Sequence, residues 1–446
     1  MPAHSPIDRP SPAPPKGAVD ATATPTDPGK QSRVASHIPV VAAFDGYRAY
    51  AILGIVVFHL LDRSGVITVA GSNWFAWLIQ GTLGQFVDIL FIISGFVVFL
   101  PTVARHGEFG SVSSFAVRRA ARLVPAYWAV LAILLVLIAV DPPIPFPGIG
   151  DIAIHAAYLQ MPAEVFRNLV IGFGVDGPLW TLSLEVTFYF ILPFVAAWYF
   201  RRPLVGLLIA AAITVVWHEA LIHWSTTEAL LGHPSPQASL RLEQTGYRQF
   251  PYFAFSFGAG MTGAWAYVRL RERHRPEQLA RHVGWVQLVS FTSLAVFCYM
   301  LGSRAVDLGP AARNSPIIAL GFTGSLTTLM VATALGPMRW QRPFAHPFAR
   351  WLGDISYGMY LIHAVIVIYA FRLLFTPATP PPLRGDGSFG TFVGLVALVV
   401  PLTVLYGYVS GRYLEQPIRR WAQRFGRRQQ DRAASTRAAA KVPTGG

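Results

Sequence analysis

The residues able to do chemistry in this chain are few, and most fall inside apolar runs. The first such run reads FDGYRAYAILGIVVFHLL and carries Asp45, Arg48 and His59. Arg48 and His59 are eleven positions apart. At roughly 100° per residue that spacing leaves a mismatch of only about 20°, so both share one helix face. The rise between them is about 16 Å, which sets Arg48 at a membrane surface and His59 near mid-membrane. Asp45 falls on nearly the same face and can pair with Arg48. A neutral imidazole at that depth can act as a general base towards a hydroxyl. It can equally be a structural bridge between helices, and an ionisable group inside a bilayer is a functional candidate by default.

Four further stretches carry such groups. GQFVDILFIISGFVVFLP places Asp88 at a helix entry. Its Ser94-Gly95 step allows close helix approach, with Ser94 either a packing residue or a nucleophile. FAVRRAARLVPAYW sets Arg119 and Arg122 three apart in an inner loop, on one face beside the membrane. Paired guanidinium forks suit phosphate groups, and basic anchoring of the loop explains the same residues. DGPLWTLSLEVTFYFILP buries Glu185 in an apolar helix with Tyr189 one turn on, and puts Trp180 at an interfacial belt position. A carboxylate there is either protonated or matched to a buried partner. LGDISYGMYLIHAVIVI aligns Ser356, Tyr360 and His363 on one face. No close metal-ligand spacing and no phosphate-cradling glycine loop is found. The single cysteine, Cys298, allows neither an internal disulfide nor a cysteine metal site. Neither a metal nor a permanently bound cofactor is expected.

The elements that must hold these groups are membrane helices. The chain has 446 residues, of which 53% are hydrophobic and only 13% charged. Soluble domains carry about 25% charged residues, so this composition excludes an ordinary soluble enzyme and global disorder alike. Ten spans are expected, each close to the roughly 20 apolar residues that cross a bilayer. They are 46–62, 84–104, 123–140, 179–200, 203–222, 249–268, 283–303, 314–338, 351–373 and 389–411. The fold class is thus an all-α polytopic membrane protein. The run 152–161 is too short to span. Residues 1–40 are rich in Pro, Ala, Ser and Thr and are expected to be a disordered arm. A transmembrane domain follows over 41–422, then a basic disordered tail over 423–446.

Placing the N-terminus in the cytoplasm and alternating puts 27 Lys and Arg on inner segments and 7 on outer ones. This bias predicts an N-in, C-in topology. It also accounts for the net charge of +14 without nucleic acid. Three lysines against 33 arginines point to a GC-rich bacterial genome and hence a bacterial plasma membrane.

In order, FDGYRAYAILGIVVFH, VDILFIISGF, VRRAARLVPAYW, GPLWTLSLEVTFYFILP, LGDISYGMYLIH and YLEQPIRRW resemble the acyltransferase-3 family of membrane O-acyltransferases over about residues 42–422. The resemblance puts the family's essential Arg–His pair on Arg48 and His59. It puts the cytoplasmic RxxR on Arg119 and Arg122, and the carboxylate after the W-S-L element on Glu185. Where the family has a second Glu and then Gln, this chain has Val186 and Thr187. The sequence ends about 25 residues past the last motif, so the resemblance is to members without an appended SGNH hydrolase-like domain.

The resemblance implies an acyl-CoA donor, usually acetyl-CoA, entering from the cytoplasm as a co-substrate. The acceptor would be a hydroxyl of a sugar, glycolipid or cell-envelope glycan, or of a macrolide-type metabolite. Arg119 and Arg122 would hold CoA phosphates, and His59 would take the hydroxyl proton. Asp45, Asp88, Ser94, Trp180, Tyr189, Tyr360 and His363 would support the site. A proton-coupled secondary transporter is the rival class, because intramembrane His, Glu and Asp also build proton relays. The missing internal repeat counts against it. The oligomeric state is not encoded in any motif read here.

Overall fold

The computed structural model describes residues 41–70, 73–140, 145–167, 169, 177–307, 315–375 and 385–425. The expected N-terminal arm lies outside them, as does the tail from 426 onward. Among the described residues every regular element is a helix. Ten long helices run alternately through the bundle: α1 (Ala42–Arg63), α2 (Phe86–Ala104), α3 (Val112–Val140), α4 (Trp180–Arg201) and α5 (Pro203–Ile222), then α6 (Ala254–Arg273), α7 (Pro276–Asp307), α8 (Pro316–Leu335), α9 (Pro347–Phe375) and α10 (Phe389–Ser410). Helices α1 and α9 run in the same direction, as contacts at both ends show. Asp45 of α1 meets Gly353 of α9 at one end, whereas the Gly385 amide donates to the Arg63 carbonyl (2.9 Å) at the other.

Nine of the described helical stretches are long and apolar enough to cross a membrane. This makes the chain a membrane protein. The tenth expected span, 249–268, differs. It begins as a short 3₁₀ turn, Phe250–Phe253, and continues as α6. The α6 sequence AFSFGAGMTGAWAYVRLRER is built from small residues and ends in arginines, so its composition falls short of a lipid-facing span. Its surroundings explain this. A Cβ on Gly95 of α2 would strike the Phe257 carbonyl, and one on Gly260 of α6 would strike the Ile92 carbonyl. The two backbones therefore touch through small residues, as membrane helices do when packing rather than lipid sets the contact. α6 is an interior helix, and hydropathy alone undervalues it.

The outer face is apolar: Phe190, Phe194, Leu208, Val216 and Trp285 are all exposed. In a bilayer they meet lipid. Internally, Phe44 stacks on Phe96 (3.9 Å between centroids), and Phe188 stacks on Phe257 (4.5 Å). These contacts lock α1, α2, α4 and α6 around the charged groups described next. The expected non-spanning run 152–161 forms parts of two short helices, Ile149–Ala156 and Gln160–Glu164. They cap the start of α4: Ser183 Oγ donates to the Tyr158 carbonyl (2.6 Å), and Gln160 Nε2 donates to the Leu179 carbonyl (3.0 Å).

Candidate active site

Three adjoining cavities run inwards from the end of the bundle where α1, α3 and α9 begin. The outermost, about 130 Å³, is lined by Arg118, Arg119, Arg122, Arg419, Ala422 and Gln423. Four guanidinium groups and no carboxylate line it. The second, about 190 Å³, mixes signs: Arg48, Arg122 and Arg419 face Asp45, Asp354 and Glu415. The third, about 70 Å³, lies deepest and is lined by Arg48, Ser94, Arg119, Arg122, Glu185, Tyr189 and Tyr360, among others. Arg122 lines all three.

The geometry of the deepest cavity follows from helix periodicity. Glu185 and Tyr189 are one turn apart on α4, and the Tyr189 hydroxyl donates to Glu185 Oε1. Ser94 Oγ, across on α2, donates to the same oxygen (3.3 Å). Ser94 is thus spoken for as a hydrogen-bond donor, which fits its packing reading better than a nucleophile. The Glu185 carboxylate is matched to hydroxyl donors and to the fields of Arg48 and Arg122. Arg48 also pairs with Asp45, Nη1 to Oδ1, at 3.7 Å.

Arg119 and Arg122 are not in a loop. Helix α3 starts at Val112, so they sit in its third turn. Ser111 precedes this helix, and its hydroxyl accepts from the Ser114 amide (3.3 Å). That stop explains why the helix begins seven residues before the arginine pair rather than after it. The Arg119 guanidinium lies over the Phe115 ring (5.7 Å) and the Tyr189 ring (5.4 Å). Its buried Nε and Nη1 have no hydrogen-bond partner among the described residues. Buried guanidinium donors left unmatched are costly, and an anion would satisfy them.

His59 does not line these cavities. It lies two turns beyond Ile52, the last α1 residue of the deepest one. There its ring faces that of His363 at 5.3 Å. Tyr360 stands between the two compartments. It lines the deepest cavity, its ring is 5.4 Å from that of His363, and its hydroxyl donates to the Pro178 carbonyl (2.9 Å). His363 is fully buried. The shared face of Ser356, Tyr360 and His363 is present as expected.

Trp180 is half-buried and packs on Phe253 (5.4 Å) and on Phe91 (6.1 Å), a wall residue of the deepest cavity. One expected supporting residue lies elsewhere. Asp88 faces a separate cavity of about 50 Å³ with Thr214, His218, Tyr252 and Thr323. It accepts a hydrogen bond from Ser256 Oγ (2.7 Å). Sequence reading missed Arg118, Asp354, Glu415 and Arg419. Glu415 and Arg419 stand in YLEQPIRRW and Asp354 in LGDISYGMY. No spacing rule ties either segment to α3, so only the fold reveals the convergence. Among the described residues no group of three metal-ligating side chains is present.

Beyond the membrane spans, Glu164 at the end of the helix Gln160–Glu164 is buried, and neither carboxylate oxygen has a hydrogen-bond partner among the described residues. Burial pushes its carboxyl up to about 7, against the pull of Arg248.

The helices make this a membrane protein, and its candidate site is the row of arginine-lined cavities that ends at Glu185. The chain belongs to the acyltransferase-3 family: the family model described as "Acyltransferase domain" matches residues 41–408. It is 24% identical over 396 residues to the Bacillus subtilis protein named "Putative peptidoglycan O-acetyltransferase YrhL", covering 86% of this chain and 55% of that protein. It is 25% identical over 395 residues to the peptidoglycan O-acetyltransferase OatA of Listeria monocytogenes, covering 85% of this chain and 56% of that protein. The chain thus spans little more than half the length of these relatives. No solved structure gives a significant match.

Proposed function

We propose that this chain is a plasma-membrane O-acyltransferase. It moves an acyl group, acetyl foremost, from acyl-CoA to a hydroxyl of a carbohydrate, glycolipid or cell-envelope glycan, with residues 41–422 as the working domain. The observation that carries this reading is the row of cavities joined at Arg122, from a mouth of four arginines to the Glu185 carboxylate. Arginine forks match phosphate geometry, and the orphaned Arg119 donors call for an anion. The excess of basic residues at this end of the bundle supports its placement in the cytoplasm, where acyl-CoA is found.

In this reading Arg118, Arg119, Arg122 and Arg419 grip the CoA phosphates. The pantetheine arm runs past Arg48 and Glu185 towards Tyr360, and the thioester carbonyl arrives near the histidine pair. His59 accepts the proton of the acceptor hydroxyl as its oxygen attacks the thioester carbon. A carbon–oxygen bond forms, the carbon–sulfur bond breaks, and the proton passes from His59 to the departing CoA thiolate. The products are an O-acyl ester and free CoA. The histidine site lies about 16 Å of helix rise beyond Arg48, so the acceptor would reach it from the opposite membrane face. The names of the two relatives favour a cell-wall glycan as that acceptor.

The test is release of free CoA thiol by purified full chain in nanodiscs, with an acceptor panel that includes peptidoglycan fragments and hydroxylated metabolites. Acceptor-dependent release that disappears in His59→Ala supports the reading. No release and no acyl-CoA binding by folded protein would refute it in favour of a transporter.

A further inference from the structure

A second large void lies apart from this site. It is a crevice of about 680 Å³ between α6, α7 and α8, bordered at one side by Leu207 of α5. Its size falls within the roughly 300–1,000 Å³ of small-ligand sites. The crevice exists because α7 packs along α8 and the short helix Trp74–Gly81 but barely meets α6. Near its far end α7 is clamped, since a Cβ on Gly302 would strike the Trp77 carbonyl. Between that clamp and the turn that joins it to α6, α7 leaves the gap.

The walls are apolar in practice as well as in composition. Ala259, Gly263 and Ala266 of α6 and Gly324 of α8 remove side-chain bulk from the floor. The Thr327 and Thr328 hydroxyls donate to carbonyls of their own helix, Thr323 and Gly324, each at 2.8 Å. They leave methyl groups to the cleft. One end is different. His274, Gln278, Arg281 and His282 stand there, at the turn between α6 and α7. Five arginines lie between 269 and 281. Arg269 is engaged by Glu272 (3.3 Å), while Arg281 has no carboxylate partner among the described residues. A long apolar slot with a cationic end, opening at the helix termini, is complementary to a single-headed anionic amphiphile.

We propose that this crevice binds an anionic phospholipid of the surrounding bilayer, one acyl chain along α6 and α8 and the phosphate at Arg281. The lipid then fills the gap that would otherwise leave α7 unsupported against α6. The site is separate from the arginine mouth, and its occupancy does not depend on the acyltransferase reading.

The test is native mass spectrometry of full chain exchanged from detergent into phosphatidylglycerol, phosphatidylcholine or a polyprenyl phosphate, with thermal unfolding on the same samples. Wild type should retain phosphatidylglycerol over phosphatidylcholine and unfold at higher temperature with it. Arg281→Gln should cut that preference about fivefold, the worth of one basic residue at an anionic surface. Gly324→Leu places its side chain in open space, since an added Cβ there has no atom within 4 Å. It should keep the lipid-free unfolding temperature and lose the retained lipid. Equal retention of the two phospholipids, undiminished retention in Gly324→Leu, or preferential retention of polyprenyl phosphate would each overturn the proposal.

Discussion

The deepest cavity of the arginine row and the crevice beside α7 are opposites. The first holds about 70 Å³ and is ringed by Arg48, Arg119, Arg122 and Glu185. The second holds about 680 Å³ and is walled by Ala, Gly, Val and Leu. Volume and chemistry run in opposite directions. Charged groups in a bilayer draw their surroundings tight, because every unmatched donor is costly there. Glu185 accordingly gathers Ser94 and Tyr189, and Arg119 lies over two rings. An apolar gap between helices carries no such penalty, since lipid tails are as apolar as its walls. The small cavity is therefore held by matched polar contacts, and the large one can stay open at little cost in a lipid surrounding.

That contrast can be broken or sharpened by substitution. The largest effect is expected from His59→Ala, which should lower acyl transfer by about 10²–10⁴-fold, the usual worth of a general base, with unfolding temperature little changed. A variant of equal activity would remove the histidine from the chemistry. Next comes Glu185→Ala. It strips the Ser94 and Tyr189 hydroxyls of their shared acceptor, a loss of about 1–3 kcal/mol, so thermal or denaturant unfolding should shift as well as activity. Glu185→Gln should recover most of the stability by keeping acceptors for Ser94 and Tyr189. Tyr360→Phe is a smaller perturbation. It removes one hydroxyl bonded to the Pro178 carbonyl and should cost about 1 kcal/mol, with turnover changed more than donor affinity.

An effect on stability alone, with no change expected in turnover, concerns Glu164, outside the spans. Its folded carboxyl keeps its proton to about pH 7, whereas the unfolded chain releases it near the ordinary value of 4.5. The native state thus binds more protons between these values, and stability falls as pH rises through that window. Glu164→Gln should flatten this slope and raise the unfolding temperature at pH 8 while leaving it nearly unchanged at pH 4. Parallel curves for the two proteins would exclude the buried carboxyl as the cause.

Several parts of this arrangement were readable from residues alone. The shared face of Arg48 and His59, and of Glu185 and Tyr189, follows from the helical repeat. Nine of ten spans follow from apolar length. What escaped has two physical causes. The span 249–268 was expected, but not that α6 is rich in glycine and alanine and touches α2 backbone to backbone inside the bundle. Arg419 and Glu415 reach Arg122 only through tertiary packing, and the same packing gives Asp88 a separate cavity. The crevice had no signature at all, because a void is made by the residues that fail to fill it.

The most direct measurement is the equilibrium affinity for acetyl-CoA of four purified proteins in nanodiscs: wild type, Arg119→Ala, Arg419→Ala and Gly324→Leu. Charge-assisted hydrogen bonds are worth about 1.5–3 kcal/mol, so each arginine variant should bind at least tenfold more weakly. Gly324→Leu should bind as wild type does. Unchanged affinity in both arginine variants, or a loss in Gly324→Leu instead, would contradict the assignment of the donor to the arginine mouth.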